Sequence, residues 1–465
     1  MDDSEARQPA RQNLSQKHAG RRMSVTPDRA GFLSSRMSQE QWTRGIGLVL
    51  VAGYLFVTFV GIGAISGSAS VEQRVEGSMP QRIVLVSLLL LALTLIWKQS
   101  STALVALRDN KATLGIILFC VFSAIWSDYP NLTIRRAIVL AATTVIAMGV
   151  ALGPFQMRKS HTAIFFGLTG IVVLNLAIVF LWPSWGMSHD GAKGLYSEKN
   201  SAGQVGMIAV IITAAWITGT RNYRARAVGC LALAASFLFL VLSKSKTSIG
   251  ITVMALFAGV VLVLCDRLGR RFKLLVWSVF LLVLAASIVV LFSNEFNLTR
   301  SLGMFVNDTS FSSRDAIWNF AWDKARDRIW LGHGYGAFWD VGAVNDPLTR
   351  VDPGFWLGDV DTGVINEAHN GYLDLFLGIG LPAAIIATIT VLSGMITDAR
   401  NFLSPAVKRP AKAAYLAFFL ISMAYLVHNV TESTLFTRGV PLFNTVILCR
   451  FLGSAERASR QKLFS

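Results

Sequence analysis

The chain has 465 residues, of which 53% are hydrophobic and only 15% are charged, and its formal net charge is +16. So few charged groups, with a mean hydropathy of +0.52, cannot solvate a globule of this size, which excludes an ordinary water-soluble fold. The apolar residues fall instead in runs long enough to cross a bilayer. We therefore predict an all-α polytopic membrane protein with about twelve transmembrane helices.

The predicted spans follow one another along most of the chain. In chain order they lie near residues 45–66, 82–97, 112–126, 136–152, 162–182, 203–219, 226–242, 248–264, 274–292, 372–396, 413–428 and 439–453. The predicted organisation is a disordered basic cytoplasmic tail (1–44), transmembrane helices 1–9 (45–292), a large periplasmic loop with amphipathic helices (293–370), transmembrane helices 10–12 (371–453) and a second cytoplasmic tail (454–465).

The positive charge predicts an orientation rather than a nucleic-acid partner. With the amino terminus inside, the cytoplasmic segments hold most of the Lys and Arg, and the outer segments hold more acidic than basic residues. This asymmetry follows the positive-inside rule, so we expect both termini in the cytoplasm and no nucleic-acid binding. The four cysteines lie in or beside apolar segments without paired spacing, which is typical of small core residues.

The longest connection, residues 293–370, contains a helical pattern that begins after Ser312 and Ser313. One face of this pattern carries residues at spacings of three or four, namely Ile317, Ala321, Ala325 and Arg328. The glycines at 332–336 then permit a tight turn. An amphipathic helix with many aromatic residues is typical of a membrane interface. It is either a packing lid without chemistry or part of a functional site.

Three cations near the outer ends of spans need an explanation. Lys244 and Lys246 lie in a short outward connection, so they either extend into outer water or form an anion clamp. Arg314 lies near the start of the loop helix, where a cation is unfavourable with respect to the helix dipole. It either pairs with Asp315 or Asp323 or helps the backbone N–H groups to bind an anion.

One histidine lies where the long loop re-enters the membrane. Asn370 is predicted to cap the next helix, and His369, just outside that helix, is expected to be accessible with a near-neutral pKa. Asp374 follows at a spacing that could orient the imidazole. Such a histidine is either a hydrogen-bonded structural residue or a proton acceptor. The other histidines are scattered, and there is no zinc set, P-loop or dinucleotide fingerprint, so we expect neither a metal nor a cofactor.

The order of these signals resembles a known family. The succession is GLYSEKNSAG, LSKSKTS, SSRDAIWNFAWDKARDRIWLGHGYGAFW, EAHNGYLDLFLGIGLPA and HNVTESTLF, from about Leu181 to Phe436. It resembles the O-antigen ligase and polymerase superfamily, and within it the exopolysaccharide polymerases of the rhizobial succinoglycan type. The resemblance implies a mainly helical, lipid-carrier-dependent (C-type-like) glycosyltransferase of the bacterial inner membrane, with a periplasmic active site. It also implies an undecaprenyl-diphosphate-linked oligosaccharide as donor.

The resemblance also implies roles for individual positions. Lys244 and Lys246 match a basic residue, usually arginine, that holds the donor diphosphate. Arg314 matches the arginine that opens the loop helix, and His369 matches the histidine before Asn-Gly. Glu198 stands where the family often has histidine, so that histidine's role is lost here. Supporting positions are expected at Lys199, Asn200, Asn370, Asp374, His428 and Glu432.

The implied chemistry is a one-step, metal-independent displacement that inverts the anomeric centre. Fixed cations stabilise the negative charge that builds on the departing diphosphate, and His369 removes a proton from the acceptor hydroxyl. The acceptor is another glycan repeat unit in a polymerase, which the resemblance favours, or lipid A core in a ligase. Membrane lipids and export or copolymerase proteins are further expected partners.

Two other classes of protein compete with this reading. A transporter of lipid-linked oligosaccharides would concentrate polar groups at the membrane midplane, whereas here the unusual charges gather at the outer ends of spans. A non-catalytic partner of an export complex is the third alternative.

Overall fold

The computed structural model describes residues 27–61, 79–153, 157–293, 312–342, 345, 347 and 365–464. The chain divides into two units, residues 1–46 and residues 47–465. In the first unit the described part is helical from Pro27 onward, inside the segment that was predicted to be disordered. The site and all of the packing discussed below belong to the second unit.

Helices account for nearly all regular structure in the described residues. They are α1 (Pro27–Phe59), α2 (Met79–Lys98), α3 (Ser100–Asp109), α4 (Lys111–Phe122), α5 (Pro130–Ala151), α6 (Met157–Leu181), α7 (Pro183–Gly186), α8 (Lys199–Gly219), α9 (Tyr223–Leu242), α10 (Lys246–Ser293), α11 (Ser312–Arg326), α12 (Gly371–Ile379), α13 (Leu381–Leu403), α14 (Arg409–His428) and α15 (Pro441–Phe464). A two-stranded antiparallel hairpin, β1 (Met187–Ser188) and β2 (Gly191–Ala192), precedes α8.

Nine helical segments of the described residues are long and apolar enough to cross a membrane. They are Gln41–Phe59, Met79–Lys98, Pro130–Ala151, Met157–Leu181, Lys199–Gly219, Tyr223–Leu242, Lys246–Gly269, Leu381–Leu403 and Arg409–His428. The predicted all-α polytopic membrane fold is confirmed. The count of twelve stays a prediction, because the remaining three predicted spans correspond to a shorter apolar helix (Lys111–Ile125), the second half of α10 and the first part of α15.

The predicted tenth span, 372–396, is wrong in its bounds, because the structure interrupts it. Helix α12 ends at Ile379, and Gly380, with φ 81°, separates it from α13. A Cβ at Gly380 would overlap the carbonyl oxygen of Trp330, and the N–H of Leu381 donates to the Ile329 carbonyl at 2.8 Å. The loop turn therefore takes over hydrogen bonds that a continuous helix would use. The membrane-crossing candidate here runs from Leu381 to Leu403.

The most enclosed element of the second unit is α8. It is buried continuously from Ala202 to Thr213, which suits a helix that is apolar on all sides. It packs against α9, α14, α10 and α6. Helix α15 continues beyond its predicted span, into residues 454–464, which the sequence predicts as a cytoplasmic tail. Arg457 in this part of the helix pairs with Asp109 at 2.8 Å.

Candidate active site

Four charged side chains from three distant parts of the chain meet in one group, which we call the histidine cluster: Arg314, Glu367, His369 and Glu432. The His369 Nδ1 atom lies 2.8 Å from Glu367 Oε1 and 3.8 Å from Glu432 Oε2. Arg314 Nη2 lies 3.5 Å from Glu432 Oε1, and its Nη1 donates to the Thr431 carbonyl at 2.6 Å. Glu432 is thus shared between the guanidinium and the imidazole, and its side chain is 11% exposed.

The segment around Asn370 and the turn after α14 hold each other in place. The Asn370 side chain accepts from the first backbone N–H groups of α12, which confirms the predicted N-cap. The N–H of Gly371 donates to the carbonyls of Asn429 and Glu432, at 2.9 and 3.1 Å. The N–H of Asn370 donates to Ser433 Oγ at 3.1 Å. This backbone docking brings Glu432 within reach of the imidazole.

Helix α11 begins at Ser312, as predicted, and buries the predicted apolar stripe of Ile317, Ala321 and Ala325. The fourth predicted member, Arg328, lies beyond the end of the helix and pairs with Asp128 at 2.7 Å. Burying one apolar stripe fixes the rotation of the helix about its axis. Arg314 is therefore directed at the turn after α14.

Two contacts position the backbone next to His369. The indole Nε1 of Trp318 donates to the Ala368 carbonyl at 2.9 Å. The Asp374 carboxylate accepts from the Ala368 N–H at 3.0 and 3.1 Å and from Trp339 Nε1 at 2.7 Å. The expectation that Asp374 orients the imidazole is corrected: Asp374 holds the backbone one residue earlier, and Glu367 and Glu432 hold the ring.

The electrostatics of the cluster differ from the expectation of a near-neutral imidazole. The nearby carboxylates of Glu367 and then Glu432 raise the pKa of His369 to about 9, although burial acts in the opposite direction. Burial alone would raise the pKa of Glu432, but the imidazole of His369 and nearby cations, including Arg314, lower it. The cluster therefore favours a protonated imidazole beside the guanidinium of Arg314.

The same cluster could hold a metal ion. One ligand atom from each of Glu367, His369 and Glu432 lies within 4.8 Å of the other two. In the described arrangement two cations, Arg314 and protonated His369, already neutralise these carboxylates. The predicted metal independence stays a prediction.

The predicted diphosphate clamp lies in a second place, which we call the lysine turn (243–246), between α9 and α10. Lys244 and Lys246 are exposed there, whereas Ser245 is buried. Ser245 packs against Gly203 of α8, and a Cβ at Gly191 in β2 would overlap the Ser243 carbonyl oxygen. The hairpin and the first turn of α8 therefore enclose the lysine turn.

Lys199 and Asn200, both predicted as supporting residues, open helix α8 beside this turn. The Lys199 Nζ atom lies 4.0 Å from Asp190 Oδ2 at the tip of the hairpin, and both side chains are substantially exposed. Asn200 is half-buried. An exposed ion pair of this length contributes little to stability.

The lysine turn and the histidine cluster lie at the same end of the antiparallel pair α8 and α14. At the opposite end, Arg409 Nε donates to the Thr218 carbonyl at 3.0 Å. Gln204, near the start of α8, accepts from the Leu442 N–H at 3.3 Å. His428, which ends α14, is 3% exposed. Of the predicted residues, the structure thus unites Arg314, His369 and Glu432, and leaves Lys199, Lys244 and Lys246 in a separate group at the same end of this helix pair.

Four non-glycine residues in the described part of the chain have a positive backbone φ, one in the lysine turn, one in the histidine cluster and two in other loops. The residues are Lys244 (52°), Asp340 (55°), His369 (49°) and Phe436 (51°). Such conformations cost on the order of 1–3 kcal/mol each and cluster at functional sites. Two of the four are residues that the sequence had selected.

The sequence reasoning missed Glu367 and Trp318 as members of the site. Glu367 lies only two residues before His369, and that short spacing was an available signal for a carboxylate partner. The role of Trp318 could not be predicted from spacing, because its partner is a backbone carbonyl 50 residues away.

Two comparisons with known proteins each find a similarity. Residues 231–388, which include Lys244, Lys246, Arg314 and His369, match the family model of the O-antigen ligase. The chain is also similar to the exopolysaccharide production protein ExoQ of Rhizobium meliloti (strain 1021), with 25% identity over 313 residues, 64% of this chain and 68% of that protein. Both matches support the resemblance of this chain to the O-antigen ligase and polymerase superfamily, near the rhizobial exopolysaccharide production protein.

Proposed function

We propose that this protein is a membrane glycosyltransferase that polymerises exopolysaccharide repeat units on the periplasmic face of a bacterial inner membrane. Its donor is an oligosaccharide carried on undecaprenyl diphosphate, and its acceptor is another repeat unit. The observation that carries the proposal is the meeting of Arg314 and protonated His369 around Glu432. The similarity to a protein named for exopolysaccharide production supports the polymer product.

In the proposed reaction the acceptor hydroxyl attacks the anomeric carbon of the donor, and the bond to the diphosphate breaks. Negative charge grows on the departing diphosphate. Arg314 and the His369 imidazolium are prepositioned cations at the end of the bundle where the lysine turn also lies, and Lys244 and Lys246 supply further charge. Cations fixed before the reaction stabilise the transition state more than the ground state. A single displacement of this kind inverts the anomeric centre.

The acceptor proton needs a base. A pKa of about 9 favours the protonated imidazole of His369 at neutral pH, so the proposal gives the acceptor proton to a neighbouring group. Glu367 is that neighbour, because its Oε1 lies 2.8 Å from the imidazole Nδ1. We assign the proton to the coupled Glu367–His369 pair, with Glu367 as the receiving group and His369 as the cation that orients it.

The orientation belongs to the same proposal. Both termini are cytoplasmic, and the histidine cluster faces the periplasm, where lipid-linked repeat units are displayed. The distribution of basic residues supports this orientation through the positive-inside rule.

The family description supports a second candidate function, ligation of lipid-linked glycan to lipid A core. Deletion of the coding sequence in its host, with separate analysis of secreted polysaccharide and lipopolysaccharide, distinguishes the two. The proposal expects loss of high-molecular-weight secreted polymer with unchanged lipopolysaccharide, restored by the wild-type chain and not by His369→Ala. Loss of capped lipopolysaccharide with normal secreted polymer would favour the ligase. Normal products from both fractions would refute both functions.

A further inference from the structure

A cavity of about 290 Å³ opens beside the histidine cluster. Its wall includes Arg136, Tyr335, Trp339, Glu367, Asp374 and Arg438. These residues come from α5, the turn after α11, the segment before α12, α12 itself and the turn before α15. Glu367 belongs both to this wall and to the histidine cluster, so the cavity and the proposed reaction centre share a carboxylate.

Arg136 has a structural role in the wall, because its hydrogen bonds hold a loop that lines the cavity. Arg136 is 5% exposed, and its guanidinium donates to the carbonyls of Gly336, Trp339 and Asp340. An arginine that bonds three successive parts of one turn fixes that turn with a rigid fork. These hydrogen bonds therefore fix the loop from Tyr335 to Asp340 to helix α5.

The second arginine is available for a ligand. Arg438 donates no hydrogen bond to any residue in the described part of the chain. Its guanidinium interacts electrostatically with the carboxylate of Asp340. Arg438 lines the same cavity as Asn366 and Glu367. An arginine guanidinium carries five N–H donors. The wall thus combines unused donors, an acceptor carboxylate and an amide.

The charges of the wall do not favour a phosphate ligand. Two guanidinium groups, of Arg136 and Arg438, share the wall with three carboxyl groups, of Asp340, Glu367 and Asp374. The wall therefore lacks the excess of positive charge that would favour a diphosphate. The cavity therefore suits an uncharged ligand.

Aromatic residues form a large part of the remaining wall. They are Tyr335, Phe338, Trp339 and Phe436. Trp339 is fixed by its hydrogen bond to Asp374, and Tyr335 by a hydrogen bond to the Phe436 carbonyl at 2.7 Å. Rigid rings beside directed hydrogen-bonding groups suit a compact ligand with both apolar faces and hydroxyls. A sugar ring has this chemistry, and a lipid chain does not.

We infer that this cavity binds a neutral sugar residue at the end of the acceptor glycan and directs its hydroxyl toward Glu367. The assignment rests on the proposed glycosyltransferase function, because it is the acceptor hydroxyl that loses a proton to the Glu367–His369 pair. The donor diphosphate, in contrast, binds to the cationic side chains of Arg314 and of the lysine turn. Acceptor and donor are thus bound by two chemically different sets of residues.

A thiol-protection experiment tests this separation. Cys230 is the exposed native cysteine, and Cys120, Cys265 and Cys449 are buried. In a Cys230→Ala background, Asn366→Cys reports on the mouth of the cavity and Lys244→Cys on the lysine turn. The full-length protein in lipid nanodiscs is labelled with a maleimide in the presence of either of two probes. One is the repeat-unit oligosaccharide released from its lipid carrier, and the other is undecaprenyl diphosphate.

The inference predicts a reciprocal pattern. The oligosaccharide slows labelling of Asn366→Cys roughly tenfold at about ten times its Kd and leaves Lys244→Cys unchanged. Undecaprenyl diphosphate does the reverse. Arg438→Gln weakens the protection by the oligosaccharide, whereas Arg326→Gln, at an exposed arginine paired with Asp323, does not.

The result also separates this inference from the proposed function. Binding does not need the reaction, so protection of Asn366→Cys should persist in a His369→Ala background. If the oligosaccharide does not protect Asn366→Cys while the protein still makes polymer, the acceptor site is wrong and the function stands. If undecaprenyl diphosphate protects that thiol instead, the cavity is a donor site and the inference is overturned. If protection is seen but deletion of the chain leaves secreted polymer and lipopolysaccharide unchanged, the proposed function fails.

Discussion

His369 owes its properties to the direction in which its side chain leaves the backbone. Its φ of 49° turns the imidazole toward Glu367 and Glu432, away from the helix in which Asp374 lies. The sequence could identify His369 and its capping neighbour Asn370 from residue types and order. The short spacing offered Glu367 as a partner, but the sequence could not identify Glu432, because that contact joins two segments that are far apart in the chain.

The raised pKa of His369 has a definite pH signature. Below about 9 the imidazole carries the positive charge that the departing diphosphate needs, and above 9 this charge is lost. For the protein reconstituted in nanodiscs, kcat/KM should be flat from pH 7 to 8 and fall about tenfold per pH unit above 9.

The control for this profile is His369→Gln, in which the fall centred near pH 9 should disappear from the residual activity. A kcat/KM that instead climbs steadily from pH 6 to 9 would show that neutral imidazole is the base, and the assignment of the proton to Glu367 would be wrong.

At the scale of elements, short backbone contacts between loops and helix ends build the site. The turn after α11 hydrogen-bonds to the end of α12, through His333 N to Leu377 O at 2.8 Å and Gly334 N to Gly378 O at 3.0 Å. The glycines of this turn were recognised in the sequence, and their tight turn was predicted. The break between α12 and α13 at Gly380 could not be predicted, because residues 372–396 are apolar on both sides of this glycine.

Gly371 provides a test of this docking. A Cβ there would overlap Asn429 Oδ1 and press on Leu435, so Gly371→Ala should force the turn after α14 away from His369. We expect a loss of stability of about 1–3 kcal/mol together with a large loss of transfer activity, measured by thermal unfolding in detergent and by polymer synthesis.

The matched control is Gly170→Ala in α6, where a Cβ meets nothing within 4 Å. It should be neutral or slightly stabilising, since alanine favours a helix by about 1 kcal/mol over glycine. Equal effects of the two substitutions would mean that the docking of α12 on α14 does not govern the site.

At the scale of the whole molecule, composition alone was sufficient to predict a helical membrane protein. Nine membrane-length apolar helices in the described part of the chain confirm this class, while the number of spans depends on elements that composition describes poorly. One is α4, which is short; another is α15, whose second half is charged yet packed. The membrane orientation follows from the distribution of charge and stays a prediction.

Cysteine accessibility tests the orientation. Asn319 is exposed on α11 and Arg221 is exposed between α8 and α9. Each cysteine is introduced into a protein that also carries Cys230→Ala. In intact cells, Asn319→Cys should react with an impermeant thiol reagent from outside, and Arg221→Cys should react only after the cells are lysed. Labelling in the opposite order would place the histidine cluster in the cytoplasm and contradict the proposed periplasmic reaction.

The central claim is that Arg314 and His369 receive a departing diphosphate. Its most direct test is the single-turnover rate of glycan transfer from undecaprenyl-diphosphate-linked repeat units by the reconstituted protein. Arg314→Ala should lower this rate by about 10²–10³-fold, the usual effect of removing one preorganised donor. Arg326→Ala, on the same helix but paired only with exposed Asp323 at 2.6 Å, should stay within about twofold of wild type. An Arg314→Ala rate equal to that of wild type, or equal losses in both variants, would contradict the account.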